Sequence, residues 1–196
     1  MCADCPARLA RDLDTAFPDF LAHHQDLVFS VALRVTGRQA DAEDLAQETF
    51  VRAFRALRTY DASRIRELRT RGWLAAIALN QGRNRSRRRH PGTVGLDATT
   101  AVAAEARLQP EAVVEERESA AEWRARLGAL PARYRLAVEL RHVAGLPYPE
   151  VALAMGRPVG TAKSDVHRGV RMLREAWLAQ AGPGASSVTP GQEGST

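Results

Sequence analysis

From Phe17 to Thr36, the apolar residues Phe20, Leu21, Leu27, Val28, Val31 and Val35 recur at helical spacing. Gly37 closes the pattern, so one long amphipathic helix is predicted there. A loop carrying Asp41 follows, and then AEDLAQETFVRAFRAL, in which Leu45, Thr49, Phe50, Ala53, Phe54 and Leu57 form a second apolar face. Acids fill its first turns and Arg52, Arg55 and Arg58 its end, the order that complements a helix dipole. Residues 59–71 read as a polar connection. The next stretch, GWLAAIALNQGRNRSRRRH, is apolar at Trp73, Leu74, Ile77, Ala78 and Leu79 and then turns sharply basic. Further on, Val113, Val114, Trp123, Leu127 and Leu130 predict a helix that stops before Pro131. Another opens at Pro131–Tyr134, with Leu136, Ala137, Leu140 and Val143 as its buried face and Gly145 as its stop.

The segment 147–177 divides at Gly156-Arg157-Pro158. Before the break, Val151, Ala152 and Met155 fall at helical spacing, and Pro149 suits a first helical turn, where a missing N–H costs nothing. Gly156 can take the left-handed conformation that closes a helix, and Pro158 can open the next. After the break, Val159, Ala162, Val166, Val170, Leu173 and Trp177 make one buried stripe. Thr161, Lys163, Ser164, His167, Arg168 and Arg171 fall on other faces. A short helix, a tight turn and a longer basic helix form the helix-turn-helix pattern, whose second helix fits a DNA major groove. There Arg168 suits bidentate contact with a guanine, Lys163 a guanine or a phosphate, and Ser164 and His167 bases or backbone. The competing reading is a helical hairpin with a solvated basic face.

No stretch calls for a strand and there is no internal repeat, so the fold class is all-α: two small helical domains joined by a flexible linker, the C-terminal one a helix-turn-helix. The expected organisation is a flexible N-terminal tail at 1–13, a first domain at 14–90, a linker at 91–112, a second domain at 113–180 and a disordered tail at 181–196. The linker has small residues and weak periodicity, and the last segment has nothing to bury.

Composition changes the picture in three places. The net charge of +5 permits a nucleic-acid partner, and Lys163 is the only lysine, so arginine carries almost all the positive charge. No run approaches the ~18 apolar residues of a membrane span and the start of the chain lacks a signal-peptide core, so a cytoplasmic protein without membrane insertion is expected. Cys2 and Cys5 are the only cysteines. A structural zinc site needs four ligands, and only His23 and His24 are conceivable additions. A redox dithiol of the thioredoxin kind lacks its βαβ setting. The pair is read as reduced, unstructured and dispensable, with no metal and no cofactor implied.

Arg83, Arg85, Arg87, Arg88 and Arg89 crowd together with no acid among them. Such a run repels itself unless neutralised, and phosphates are the natural neutraliser; a helix end running into a linker is the plainer explanation. Asp41, Asp44, Gln47 and Glu48 form an acidic, hydrogen-bonding surface that suits a basic partner helix. A metal-dependent nuclease built on Asp41, Glu43, Asp44 and Glu48 would lack a histidine, a lysine or a second carboxylate cluster to complete it. An RNA-binding module would need an aromatic-bearing sheet or a glycine clamp.

With DAEDLAQETFVRAF at 41–54, WLAAIALNQGRNRSRRR at 73–89 and the stretch from Leu130 to Leu173 in that order, the chain resembles a bacterial RNA polymerase sigma factor of the extracytoplasmic-function (ECF) kind. The resemblance implies that Asp41, Asp44, Gln47, Glu48 and Phe50 dock on the clamp helices of core RNA polymerase. It implies that Trp73, Asn80, Arg83, Arg85, Arg87 and Arg88 open the minus-ten element of promoter DNA. Thr161, Lys163, Ser164, His167, Arg168 and Arg171 would read the minus-thirty-five element, and an anti-sigma protein would be a further partner. Ala75 and Ala76 stand where this family usually has an aromatic and a basic residue, which leaves the melting surface aromatic-poor. Asp165 replaces a common basic residue, removing one expected phosphate contact, and Pro147 replaces a serine cap. The runner-up reading is an effector-controlled helix-turn-helix regulator that does not join the polymerase.

Overall fold

The computed structural model describes residues 4–89, 122–123 and 125–181. Helix α1 is Cys5–Arg11, α2 Leu13–Thr36, α3 Gln39–Leu57, α4 Ala62–Arg66 and α5 Thr70–Arg89. Residues 122–123 and 125–129 are helical. Helix α6, Ala132–Val138, runs into a π-helical turn at Glu139–Val143, followed by α7 at Tyr148–Met155 and α8 at Val159–Ala181. Among the described residues there is no strand, and no helix is long and apolar enough to cross a membrane.

Local chemistry sets the boundaries. The Asp12 carboxylate accepts the Thr15 N–H at 3.1 Å and starts α2, and Gly37 at φ 75° ends it as its N–H reaches the Leu33 carbonyl. Helix α7 closes on Gly156 at φ 66°, where the N–H of Arg157 reaches the Ala152 carbonyl and that of Gly156 the Leu153 carbonyl. This crossed pair of bonds is the Schellman motif, and it makes the tight turn between the two helices of the motif.

Several expectations need correction. The tail expected at 1–13 is helical from Cys5 to Arg11, and Cys5 and Leu9, one turn apart, are buried against α2 and α4. A pair of apolar residues is too short a pattern to reveal a helix; the surface it covers decides. Cys2 lies outside the described residues. The connection at 59–71 contains α4, capped by the Asp61 carboxylate and holding Ile65 in the core. Val143 is 49% exposed, because the π turn widens the helix and rotates the residues after it. Trp123 is exposed as well. Of the stripe expected on α8, Ala162, Val166 and Leu173 are buried, whereas Val159, Val170 and Trp177 are exposed. Asp165 and Gly169 complete the inner face instead. At Gly169 a Cβ would lie 2.5 Å from Val138 Cγ2, so the absence of a side chain is what lets α8 close on α6.

The two helical halves do not stand apart. Val31 of α2 and Ala75, Ala78 and Leu79 of α5 share one core with Leu140, Leu146, Val151, Ala152 and Met155. Helix α7 lies on α5. The linker expected at 91–112 and all but Ala181 of the tail at 181–196 fall outside the described residues.

One buried titratable group makes the fold sensitive to acid. His24 is 4% exposed, its ring packs edge-on against Phe20, and its Nε2 has no hydrogen-bond partner. Burial foremost, then the positive charges of His23 and Arg71, pull its pKa down to about 4. An unfolded chain takes up this proton near pH ~6.5, so stability is full above that pH and is lost as the pH falls towards 4. Urea unfolding at pH 7 and pH 4.5 should show a loss of roughly 1–3 kcal/mol from this group. His24→Phe should remove that part of the pH dependence; an unchanged profile would assign it elsewhere.

Candidate functional site

Helix α8 presents two contrasting faces. Its inner face packs Ala162, Asp165, Val166, Gly169 and Leu173 on α6 and α7. Thr161, Lys163, Ser164, His167, Arg168 and Arg171 are all exposed, so the hydrogen-bonding and cationic groups picked out in the sequence share the solvent side. The Ser164 hydroxyl donates to the Gly160 carbonyl, His167 stacks at 6.3 Å on Tyr148, and Arg171 lies 3.6 Å from Glu175. Arg168 Nη1 makes a long contact of 3.5 Å to the Tyr134 hydroxyl. That contact, with a second from Arg133, holds the phenol below its usual pKa.

Asp165 does not stand on this surface. Its side chain is 5% exposed and lies 3.3 Å from Arg157 in the turn and 3.7 Å from Arg133 on α6. A cation in this register would point into the protein, so no phosphate contact is lost here.

Helix α5 carries the second set. Arg87 and Arg88 are exposed, and so is Asn80, whose side-chain oxygen accepts from Arg83 at 3.4 Å. Arg83 is half-buried, and burial, with the nearby charges of Arg157 and Arg87, lowers its pKa. Arg85 turns the other way: its guanidinium pairs with Glu48 at 2.8 Å. It therefore ties α5 to α3. Trp73 is half-buried beside Tyr60 at 6.2 Å, and Arg64 lies 3.7 Å over the Tyr60 ring. Tyr60 and Arg64 escaped the sequence analysis because their segment lacks helical periodicity. The aromatic-basic signal was local, at Tyr60-Asp61-Ala62-Ser63-Arg64. Ala75 is fully buried against α7, so this register is a packing position.

On α3, Asp44, Gln47 and Glu48 are exposed and Asp41 is half-buried, 4.0 Å from Arg38. Phe50 is 6% exposed. With Phe17, Leu21, Phe29, Ala46 and Phe54 it lines an apolar groove of about 830 Å³ between α2 and α3, and Gln47 stands at its edge. Among the described residues no group of three or more His, Cys, Asp or Glu side chains is placed to hold a metal ion.

Comparison with known proteins matches both halves. Residues 20–91 fit the model of sigma-70 region 2, and residues 120–173 that of sigma-70 region 4. The SigW factor of Bacillus subtilis, described as an ECF RNA polymerase sigma factor, is 31% identical over 169 residues, covering 82% of this chain and 88% of that protein. This chain belongs to the ECF sigma factor family. The Mycolicibacterium smegmatis ECF sigma factor SigE is 35% identical over 164 residues, and the match spans 82% of this chain but 61% of SigE. Among solved structures, CnrH in complex with the cytosolic domain of CnrY has a TM-score of 0.62 at 22% identity, with 90% and 97% of the two chains covered. The sigma factor RpoE of Bartonella quintana, in complex with the anti-sigma factor NepR, also gives 0.62, at 23% identity and 82% and 96% coverage. At these identities the likeness is one of fold.

Within this ECF sigma factor, the buried Asp165 yields a direct test. Asp165→Ala leaves two arginines without their shared partner and should cost about 1–3 kcal/mol, less than a fully buried pair because both arginines keep some solvent. Asp165→Arg should be worse, by burying a third cation. Thermal unfolding measures the loss, and a salt titration of DNA binding measures any new phosphate contact. A well-folded Asp165→Arg with a steeper salt slope would show that the side chain faces DNA.

Proposed function

We propose that this chain binds core RNA polymerase through the acidic face of α3 and the groove beside it, reads promoter DNA with α8, and promotes strand opening along α5. Residues 14–90 would serve as the docking and opening unit and residues 113–180 as the reading unit, with no catalytic step of their own. The observation that carries this reading is the exposed row Lys163, Ser164, His167, Arg168 and Arg171, opposite a buried face, in a chain whose other half offers an acidic helix edged by an apolar groove. An effector-controlled regulator needs only the first of these surfaces. The cytoplasm is where such a factor would meet the polymerase. We extend to this chain an anti-sigma partner, as found with the Bartonella relative.

The test is run-off transcription with purified core polymerase on a promoter library. Transcripts dependent on the added protein, from a shared pair of elements, are expected; binding to DNA without any transcript would favour the regulator. Asp44→Arg should weaken core polymerase binding while the circular dichroism spectrum stays intact. Unchanged affinity would remove α3 from the interface.

The two DNA surfaces should separate in a salt titration. Arg168→Ala removes a base contact and should cost ~1–3 kcal/mol at one position of the upstream element. Replacing Arg87 and Arg88 should weaken all promoters alike and lower the salt slope by about one unit per lost phosphate contact. If Arg168→Ala weakens all sequences equally while the α5 changes alter upstream preference, the assignment is reversed.

A further inference from the structure

Arg168, on the exposed side of α8, is held from behind by a neighbouring helix. Gly169 brings α6 and α8 together: a Cβ there would lie 3.1 Å from the Tyr134 carbonyl oxygen and 3.4 Å from Tyr134 Cβ. Tyr134 is therefore packed against the residue that follows Arg168, and its hydroxyl accepts the 3.5 Å contact from Arg168 Nη1. The guanidinium carbon of Arg133 stands 4.3 Å from the centre of the tyrosine ring, and its Nη2 donates to the same hydroxyl. Arg133 is fixed in turn by Asp165, whose carboxylate lies 3.7 Å from Arg133 Nε and 3.3 Å from Arg157 Nη1. A chain of contacts thus runs from the buried face of α8, by way of α6, to an arginine on the exposed face.

The chemistry of that contact suits a group that must bind elsewhere. An exposed arginine has several rotatable bonds, and ordering them on a base costs entropy that weakens binding. A partner that restrains the guanidinium beforehand lowers this cost. A hydroxyl does so by accepting from one of the guanidinium's five N–H groups, leaving the others for a base edge. An acid at the same place would neutralise the cation and repel phosphates; an uncharged hydroxyl does neither. Arg171 shows the contrast, since its partner Glu175 is on the same helix and both side chains are well exposed, so water screens the pair. The contact of Arg168 crosses to a second helix that is anchored to the interior.

We propose that Tyr134 is a positioning residue for promoter reading: its hydroxyl, fixed by Arg133 and through it by Asp165, aims the Arg168 guanidinium at the base it contacts. This rests on the assignment of α8 as the promoter-reading helix above, and the test keeps the two apart. Tyr134 touches no base itself, yet it sets how strongly one position of the upstream element is preferred.

The test uses the full-length chain with core polymerase, on promoters varied at the position whose preference Arg168→Ala abolishes. Tyr134→Phe keeps the ring on Gly169 and removes only the hydroxyl. It should lower affinity for the preferred base pair roughly 3–10-fold, as expected when one more side chain must be ordered on binding. Affinity for the mismatched promoters and the salt slope should stay as in the parent, and the change should add nothing in an Arg168→Ala background. An equal loss on every promoter, a smaller salt slope or an additive double variant would overturn the proposal, the smaller slope by making the phenol a phosphate contact. If Arg168→Ala alters base preference and Tyr134→Phe does not, the positioning role fails and promoter reading by α8 stands; if Arg168→Ala alters no preference, both fail. A readout without DNA is carbon-13 NMR of the tyrosine Cζ atoms in the free chain, with the Tyr134 signal identified by its loss in Tyr134→Phe. Because the Arg168 guanidinium lowers the phenol pKa, Arg168→Ala should move the titration of that signal to higher pH. An unmoved titration would overturn the contact, whether or not the protein reads promoters.

Discussion

Close approach of α5 to its neighbours on two sides is the constraint on which the rest of the structure depends. Towards α2, a Cβ at Gly82 would lie 2.0 Å from Val35 Cγ1; towards α7, Gly72 leaves room for the Glu150 backbone. Ala75 and Ala78 fill the space between with minimal side chains, and both are fully buried. Small residues let backbones approach, but they also commit the helix: a larger group at any of these positions displaces a neighbouring helix. The part of α5 left to solvent is a narrow strip bearing Asn80, Arg87 and Arg88. Whatever this helix contacts outside the chain, it contacts along that strip or after α7 has moved.

Charge is distributed under the same constraint. The chain carries a net +5, yet several of its cations are spoken for internally. Arg85 is held by Glu48, Arg157 and Arg133 share Asp165, and Arg34 faces Glu139. What remains outward on α8 and at the end of α5 is a smaller, directed set of cations. The sequence-level count of arginines therefore overstates the surface available to phosphates and understates how specifically it is aimed.

Periodicity made the helices legible wherever a stripe ran for three turns or more, as in α2 from Phe20 to Val35 and α3 from Leu45 to Leu57. The turn at Gly156 was legible because the left-handed conformation it adopts selects for glycine. Less was legible where burial came from a partner rather than a pattern. Cys5 and Leu9 look like a tail until α2 and α4 provide a surface for them. Asp165 looks like a solvent residue until two arginines from distant positions converge on it. Val159, Val170 and Trp177 satisfy helical spacing and are still exposed, because the inner face of α8 runs through Ala162, Asp165, Val166, Gly169 and Leu173 instead. The residues picked out on α8 do share its exposed face, and Phe50 lies on the buried face of α3 that its spacing predicts; the Arg85–Glu48 pair was not legible, since spacing alone does not say which neighbour a side chain meets.

The character of the seam between the halves also bears on its strength. Core burial contributes about 25 cal/mol per Å² of apolar surface, so an alanine contributes far less than a leucine or a phenylalanine. The first half rests on its own large side chains, with Phe20, Val28, Leu57 and Leu74 in a cluster that does not involve α7. The seam joins Val31, Ala75, Ala78 and Leu79 to Leu140, Leu146, Val151, Ala152 and Met155, with polar bonds whose groups water can satisfy once they part. Separation would expose this shared apolar surface while leaving the first half's own cluster whole. The seam is thus an apolar core shared by both halves and pinned by directional bonds, whereas the first half keeps a cluster of its own.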